Sequence, residues 1–564
     1  MTSQIGTTGT GGVFIGGQAS GINTTALIDA AVQQRTFRAD RLDIQIEENV
    51  AKVGAYQQLD DLTRAIDASL ANLRGTDSLF DDTVRVWDQK AGTISTSDGS
   101  DFSGILDIAI DPEAQIGNYS IEVLDVAAVQ RVASNTIADA DAALGYTGTF
   151  DLGTTVGPSV NVNVTAGMSL RDVAAEINAQ SGTSNVAAQI IQTSESGFQL
   201  IISGTQTAQD LSTTSTGGDD VLNLLGVTDG LGGFSNELQA ASQARINFDG
   251  VEVTRNDNVL DDVVEGIELN LNNAAPGTII SLEVGNDAGA ARAAIEEFIN
   301  AYNAFRDFVT QNQQVSEDGV VAEDAILFGD NLLDLIANTY SNFIGGQFNS
   351  TGDIQTIRDL GIRIGSGNKL EISDSVRLDT ALLNNFDAVR DAFAARADSD
   401  NAEFRLSRNE GVTPTQAIVF DITTDGAGTI TGVTANGDGS AFTIDGNRVV
   451  GAEGTQYEGL RFAYIGSDTN VTINVDFNQG LSERLLNSIE PFNSINNGLL
   501  VQERASLQSI NNEKAQEASE IRARAEEFRA SEIDRYAKLE ADISALNLLL
   551  DQIRAILGAD RDDD

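Results

Sequence analysis

Six apolar residues near the C-terminus, Leu539, Ile543, Leu546, Leu550, Ile553 and Leu557, follow one another at intervals of four, three, four, three and four. An α-helix turns every 3.6 residues, so a stripe repeating every 3.5 stays on one face only if the helix supercoils against a partner. Upstream, Leu507, Ile510, Lys514, Glu517, Ile521 and Phe528 continue the spacing with polar breaks, and Glu520 with Arg524 adds an i,i+4 ion pair. A second stripe runs near the other end of the chain, through Leu42, Ile46, Val53, Tyr56, Leu59, Leu62, Ile66, Leu70 and Leu73. It lies in a polar, nearly glycine-free stretch from about Asn23 and reads as one long amphipathic helix, which Gly75 and the following TDSLFDD end. The simplest arrangement pairs the two ends of the chain with each other. As core, the C-terminal stripe serves a monomer; as a seam, it serves assembly, and the terminal DRDDD, which leaves the helix end free for partners, favours assembly. The predicted seam is Leu42, Ile46, Val53, Leu59, Leu62 and Ile66 on the first helix with Leu539, Ile543, Leu546, Leu550, Ile553 and Leu557 on the last.

Between the helical ends the texture changes to Gly, Thr, Ser, Asn and Val. GNYSIEVLDV alternates, with Tyr119, Ile121 and Val123 on one face, as a half-buried strand does. MSLRDVAAEINAQSG is a short helix: Ser169 and Asp172 have capping-box spacing, and Leu170, Val173 and Ile177 form its buried edge. NVAAQIIQTSESGFQLIISG reads as a hairpin turning near Glu195 to Gly197. In RINFDGVEVTRNDNVLDDVVEGIELNLNNA, Asp249-Gly250 is a hairpin turn between Ile246, Phe248 and Val251, Val253. Asn258 is expected to cap a one-to-two-turn helix through Val264, ended by Gly266, before a strand through Ile267, Leu269 and Leu271. Helices resume at about Asp287, a second β-rich stretch runs from about Thr413 to Phe477, and the last helical stretch begins near Leu481.

The fold class is therefore α+β, a helical coiled-coil stem from the two chain ends with inserted β-rich head domains. The expected divisions are a disordered tail and coiled-coil helix over 1–82 and a head domain from 83–135 with 240–285. A second head domain covers 136–239, a helical stem domain 286–412, a further β-rich insert 413–478, and coiled-coil helices 479–564.

Residue supply removes whole classes of chemistry. The chain has no Cys and no His, which excludes zinc fingers, thiol catalysis, His-based triads and His-ligated metals. The balance of 84 acidic against 34 basic residues gives a net charge of −50, which repels nucleic acid over most of the surface and keeps an abundant protein soluble. GTTGTGGVFIGG is no phosphate loop, because no strand precedes it and no Lys-Ser/Thr follows; it reads as a flexible tail. TTDGAGTITG and ANGDGSAF lack EF-hand spacing and read as acidic turns. Paired carboxylates occur throughout, so pairing identifies no glycosidase, and aromatics at 6% supply few sugar platforms. No catalytic, cofactor or metal residue is assigned, and the chain is not expected to be an enzyme. The N-terminus lacks a basic region and an apolar core, so it is no Sec-type signal, and no run approaches a membrane span of roughly 20 residues.

The order of these elements resembles the bacterial flagellar axial proteins, and several motifs narrow the resemblance to the filament cap or hook-associated protein 2 family. They are GGQASGINTTALIDAAVQQRTFRAD with Ser20-Gly21 and Leu27-Ile28, IGNYSIEVLDVAAVQ, the flagellin-type Ile177-Asn178 motif, ARINFDGVEVTRNDNVLDDVVEGIELNL, LGIRIGSGNKLEISDSVRLDTALLNNFDAVRDAF with Gly361-Ile362 and Leu370, and RYAKLEADISALNLLLDQI. The family often has a Pro after the first helix, absent from TFRAD, and the 413–478 insert exceeds its minimal pattern. The resemblance implies a mechanical role at the tip of the extracellular filament: a small homo-oligomeric ring that retains exported flagellin while it folds and inserts. It implies flagellin, hook-associated junction proteins, the flagellar type III export machinery and an export chaperone as partners, with no cofactor, nucleic acid or membrane insertion. The rival readings are a flagellin-like or hook–filament junction subunit, and an adhesin using the exposed head domains.

Overall fold

The computed structural model describes residues 5–7, 13–15, 20–75, 84–315, 318–347 and 354–559, the side chains of 5–7, 13–15 and 556–559 excepted. The chain divides into two compact units, one from residues 1–81 and 292–564 and one from residues 82–291.

In the first unit the N-terminal helix spans Thr24–Ala71 and the C-terminal helix Leu499–Ala559. Their 48 and 61 residues correspond to about 72 and 92 Å of helix at 1.5 Å per residue. Both are rich in Ala, Leu, Glu, Gln and Arg and free of Pro, the composition that loses least in a helix. Asn23 caps the first by accepting from the Ala26 amide at 3.1 Å. Where the sequence reads as a tail, Ile5–Thr7 pairs antiparallel with Val13–Ile15. The expected helix stop TDSLFDD lies outside the described residues beyond Gly75.

The C-terminal half of the first helix packs against Leu481–Asn493, which packs in turn against Asn331–Gly345, and Ala288–Asn312 joins this helical bundle through its rings on Tyr340. Its aromatic centre is Tyr302, Phe305 and Tyr340, with ring centroids 5.0 to 6.3 Å apart. Asp330 caps Asn331–Gly345 through the Leu332 and Leu333 amides and accepts the Tyr56 hydroxyl at 2.5 Å. Polar groups also enter the bundle. Asp60 is 2% exposed and is held by Arg64 and Arg504. Asp67 accepts from the Asn493 amide at 2.5 Å, while its Oδ1 is buried without a hydrogen-bond partner. Burial pushes the Asp67 carboxyl up to about 6; Asn493 and Arg64 pull it down and Asp60 adds to the rise.

The β-rich insert of this unit is a pair of four-stranded antiparallel sheets. One runs Arg396–Ser399, Asn470–Asn478, Gln416–Thr424, Ile430–Ala435; the other runs Phe404–Asn409, Leu460–Tyr464, Arg448–Gly451, Phe442–Asp445. Phe404, Phe420, Phe442 and Phe462 fill the space between them. The strands begin at Arg396, not at the expected 413. Arg396–Ser399 carries charged residues at alternate positions and Phe404–Asn409 turns few apolar side chains inward, so periodicity marks neither.

The second unit holds two β-rich cores. A five-stranded sheet (Val251–Arg255, Ala244–Phe248, Gly117–Asp125, Ile280–Asn286, Lys90–Thr96) and a three-stranded one (Val259–Val264, Ile267–Leu271, Leu106–Ile110) enclose Ile121, Val123, Ile246, Leu269 and Leu282. Asp249 and Gly250 both have positive φ, 49° and 84°, the conformation a two-residue hairpin turn of the I′ kind requires. The segment after Asn258 is a strand, Val259–Val264, rather than the expected helix. Its β-branched residues favour extended backbone. The Asn258 amide group accepts from the Ala127 N–H at 2.7 Å and donates to the Ala127 carbonyl at 2.9 Å, so its capping chemistry serves a neighbouring segment.

The other core lies between Glu237–Gln239, Arg131–Ala133, Gly197–Gly204, Val186–Ser194 and the sheet Leu211–Gly218, Gly148–Thr154, Val160–Val164, with the helix Leu170–Ala179. Ser169 and Asp172 form the capping box. Ile177 is buried, and the Asn178 amide group bonds both the N–H and the carbonyl of Ala188 at 2.8 and 2.7 Å. The Ile-Asn pair thus fastens the helix to a strand.

The raised folded-state value of Asp67 has a signed consequence. Its ionisation penalty is absent below the unfolded value near 4 and complete above about 6, so this group lowers stability as pH rises through that window. The total is on the order of 2–3 kcal/mol. Chemical denaturation of wild type and Asp67→Asn between pH 4 and 7 should show the variant gaining on wild type as pH rises. Parallel curves would contradict this.

Candidate functional site in the paired terminal helices

The two long helices lie antiparallel, because polar contacts between them run in opposite directions along the chain. Asp60 meets Arg504, Asn49 meets Asn511 at 2.9 Å, Gln45 meets Lys514, Asp29 meets Arg529 at 2.8 Å, and Ser20 meets Glu540. From Leu500 the residues facing inward are Arg504, Leu507, Asn511, Lys514, Ala518, Ile521, Ala525 and Phe528, separated alternately by four and three positions. This is the 3.5-residue repeat of a supercoiled pair.

Burial along the predicted seam is graded. Leu59 and Ile66 are fully buried, where the first helix also touches the bundle. Leu42, Ile46 and Val53 are half-buried, as expected where two helices alone cover each other, and Leu62, within the bundle stretch, is half-buried as well. Farther on, Ile28, Val32 and Ala525 form a small buried cluster with Phe528, Ile533 and Tyr536 against it, and the Arg35 guanidinium stacks 3.8 Å over Phe528. Ile510 and Glu517 stand beside the seam, while Asn511 and Ala518 occupy it. Sequence reading misses these because a small residue and an amide give no hydrophobic signal; the pairing of Asn49 with Asn511 emerges only once both helices are placed.

Opposite charges flank the seam. Arg38 pairs with Glu517, and Arg522 lies between Asp40 at 3.3 Å and Asp43. These groups are largely exposed, so each pair is worth little alone, roughly 0–1 kcal/mol. Their value lies in the pattern, because a shifted or parallel register would bring carboxylates against carboxylates in a chain already strongly acidic.

Glu540 closes the pair. It is 7% exposed, and its carboxylate accepts from the Ser20 backbone at 3.3 Å and from the Ser20 hydroxyl. Beyond it the C-terminal helix continues while the first helix has ended. Ile543 is half-buried, and Leu539, Leu546, Leu550 and Ile553 are 43 to 59% exposed, with Leu548 and Leu549 exposed beside them. Leu557 lies on the last described turn, with its side chain outside the described residues. The structure therefore brings the N-terminal half of the predicted seam into contact within the chain and leaves Leu539, Leu546, Leu550 and Ile553 of the C-terminal half exposed. Among the described residues no group of three or more Asp, Glu, Cys or His is placed to hold a metal, and no helix is long and apolar enough to cross a membrane.

Residues 241–548 match the family described as Flagellar hook-associated protein 2 C-terminus, residues 20–130 the corresponding N-terminus family, and residues 146–206 the Flagellin hook IN motif. The B-type flagellar hook-associated protein 2 of Pseudomonas aeruginosa is 26% identical over 370 residues, 61% of this chain and 76% of that protein. The A-type protein of the same species is 26% identical over 299 residues, covering 50% and 62%. The flagellar hook-associated protein 2 of Xenorhabdus nematophila is 26% identical over 398 residues, covering 64% and 78%. A solved structure of the flagellar cap protein FliD from Escherichia coli, domains D1 to D3, is 22% identical, covers 60% of this chain and 89% of its own, and gives a TM-score of 0.42. The C-terminal family match alone takes in more than half of the 564 residues, and the chain belongs to the flagellar hook-associated protein 2 family.

Proposed function

We propose that this chain is a subunit of the cap at the distal end of a bacterial flagellar filament, outside the cell, where it keeps exported flagellin from escaping while it folds and inserts. The observation that carries the reading, alongside family membership, is the open half of the seam. A chain that has already paired its own ends still presents Leu546, Leu550 and Ile553 on an unfilled supercoil face. Such a face suits assembly with further helices of the same kind, giving a small ring of identical subunits. The β-rich modules supply contact surfaces, and none of the chemistry requires a nucleotide, a metal or a covalent step. Flagellin and the hook-associated junction proteins are the expected neighbours in the filament, and the flagellar type III machinery with an export chaperone the expected route outward.

Deleting the gene and measuring flagellin in the medium tests the role. The expected outcome is loss of filaments with monomeric flagellin accumulating outside the cells; filaments of normal number and length would contradict it. The seam has its own test. Replacing Leu546 and Leu550 together by Ala removes two side chains worth roughly 2 kcal/mol each if buried between subunits, about a thousandfold in assembly. Sedimentation should then show monomers with unchanged helical content. A double variant that assembles as tightly as wild type would place the subunit contacts elsewhere.

A further inference from the structure

Glu483 is a fully buried acidic residue on the helix Leu481–Asn493. Removing a carboxylate from water costs several kcal/mol unless its oxygens are satisfied. Here they are satisfied by groups from two remote parts of the chain. One oxygen accepts from the Gly75 amide at 3.0 Å and lies 3.6 Å from the Arg74 guanidinium; the other accepts from the Ala395 amide at 3.0 Å. Ser482, also fully buried, donates its hydroxyl to the Leu73 carbonyl at 3.2 Å.

Three stretches of backbone cross at this carboxylate. Leu73–Gly75 is where the chain leaves the first helix, Ala394–Ala395 is where it departs for the β-rich insert, and Gly480 is where it returns. The crossing is tight enough to exclude side chains: a Cβ on Gly75 would run into the Ala395 carbonyl, and one on Gly480 into the Phe393 and Ala394 carbonyls. The Asn478 amide adds bonds to the Asp391 and Ala394 carbonyls. No apolar contact could replace Glu483 here, because two backbone N–H groups point at the same spot and each needs an acceptor.

We propose that Glu483 is a latch that fixes both exits from the helical body, so that the departure at Gly75 and the hinge of the insert at Ala395 open and close together. Both amides wait for residue 483, which is 408 residues from Gly75 and 88 from Ala395. The exits therefore become ordered only when the C-terminal third of the chain has folded onto the helical body. This inference does not rest on the cap reading and stands or fails separately from it.

The test is native-state hydrogen exchange combined with limited trypsin digestion of the full-length protein, since Arg74 and Arg396 flank the two exits. In Glu483→Gln the side chain keeps its shape but offers one acceptor for two donors and loses its charge beside Arg74. Exchange at the Gly75 and Ala395 amides should accelerate at least tenfold, and cleavage after both Arg74 and Arg396 should accelerate together. Amides at Ala518 and Ala525, and at Ile473 in the insert, should keep their protection. Leu485→Ala, which empties a fully buried apolar site two residues along the same helix, is the control. If it opens the same two bonds equally at matched global stability, the latch is overturned, as it is if Glu483→Gln leaves both exits protected. Should Glu483→Gln not fold, Glu483→Asp, whose shorter carboxylate reaches fewer donors, is measured the same way. An Asp variant with wild-type protection at both amides would overturn the proposal.

Discussion

The pairing of the first long helix with the last governs the rest of the first unit. Asn49 and Asn511 touch although 462 residues separate them in sequence. Bringing two points that far apart together costs about 5 kcal/mol of loop entropy from the logarithmic term alone. A two-helix pair with a half-open seam offsets that only by being long, and by joining a bundle at one end where Leu59, Ile66 and Leu70 are fully buried. The excursions between the helices fold around their own cores, which lowers the effective length of the loop to be closed. This is a physical reason for a stem built from chain ends to carry compact inserted domains instead of extended linkers.

Length explains affinity in such a pair but not register. A repeat of alternating fours and threes fits its partner equally well after a shift of seven residues. Here register is set by groups that fit in one place: the Asn49–Asn511 amide pair, Asp60 buried between Arg64 and Arg504, and Glu540 closing on Ser20. Each leaves a buried or half-buried polar group unpaired if the helices slip, and an unpaired group costs more than a formed bond returns. Polar residues in the seam therefore trade stability for a single alignment. The same exchange recurs off the stem, where Asn178, Asn258 and Asn303 each bond both the N–H and the carbonyl of one remote residue.

Legibility in the sequence followed the strength of periodicity. The long helices, the Asp249-Gly250 turn, the Ser169–Asp172 capping box and the buried Ile121–Val123 face come from patterns that local sequence alone determines. The half-open state of the stem does not. Leu42 and Leu59 look alike in the sequence, yet one is half-buried and the other fully buried, because only the second also meets the bundle. Asn258 shows the opposite failure: its capping chemistry was readable, but the partner it serves, Ala127, is 131 residues away. The strands from Arg396 to Asn409 escaped because their charges obscure the alternation. Glu483 was invisible as more than one of many carboxylates, since only the fold shows that it is buried and what it joins.

The most direct test of this account is a distance within a single molecule. The chain contains no Cys, so Asn49→Cys with Asn511→Cys introduces the only two thiols. A short bis-maleimide added to dilute monomer should join them within one chain, giving a faster-migrating species on denaturing gels and no dimer. A link formed only between chains, or none at all, would mean that the helices pair across subunits, and the closed stem described here would be wrong.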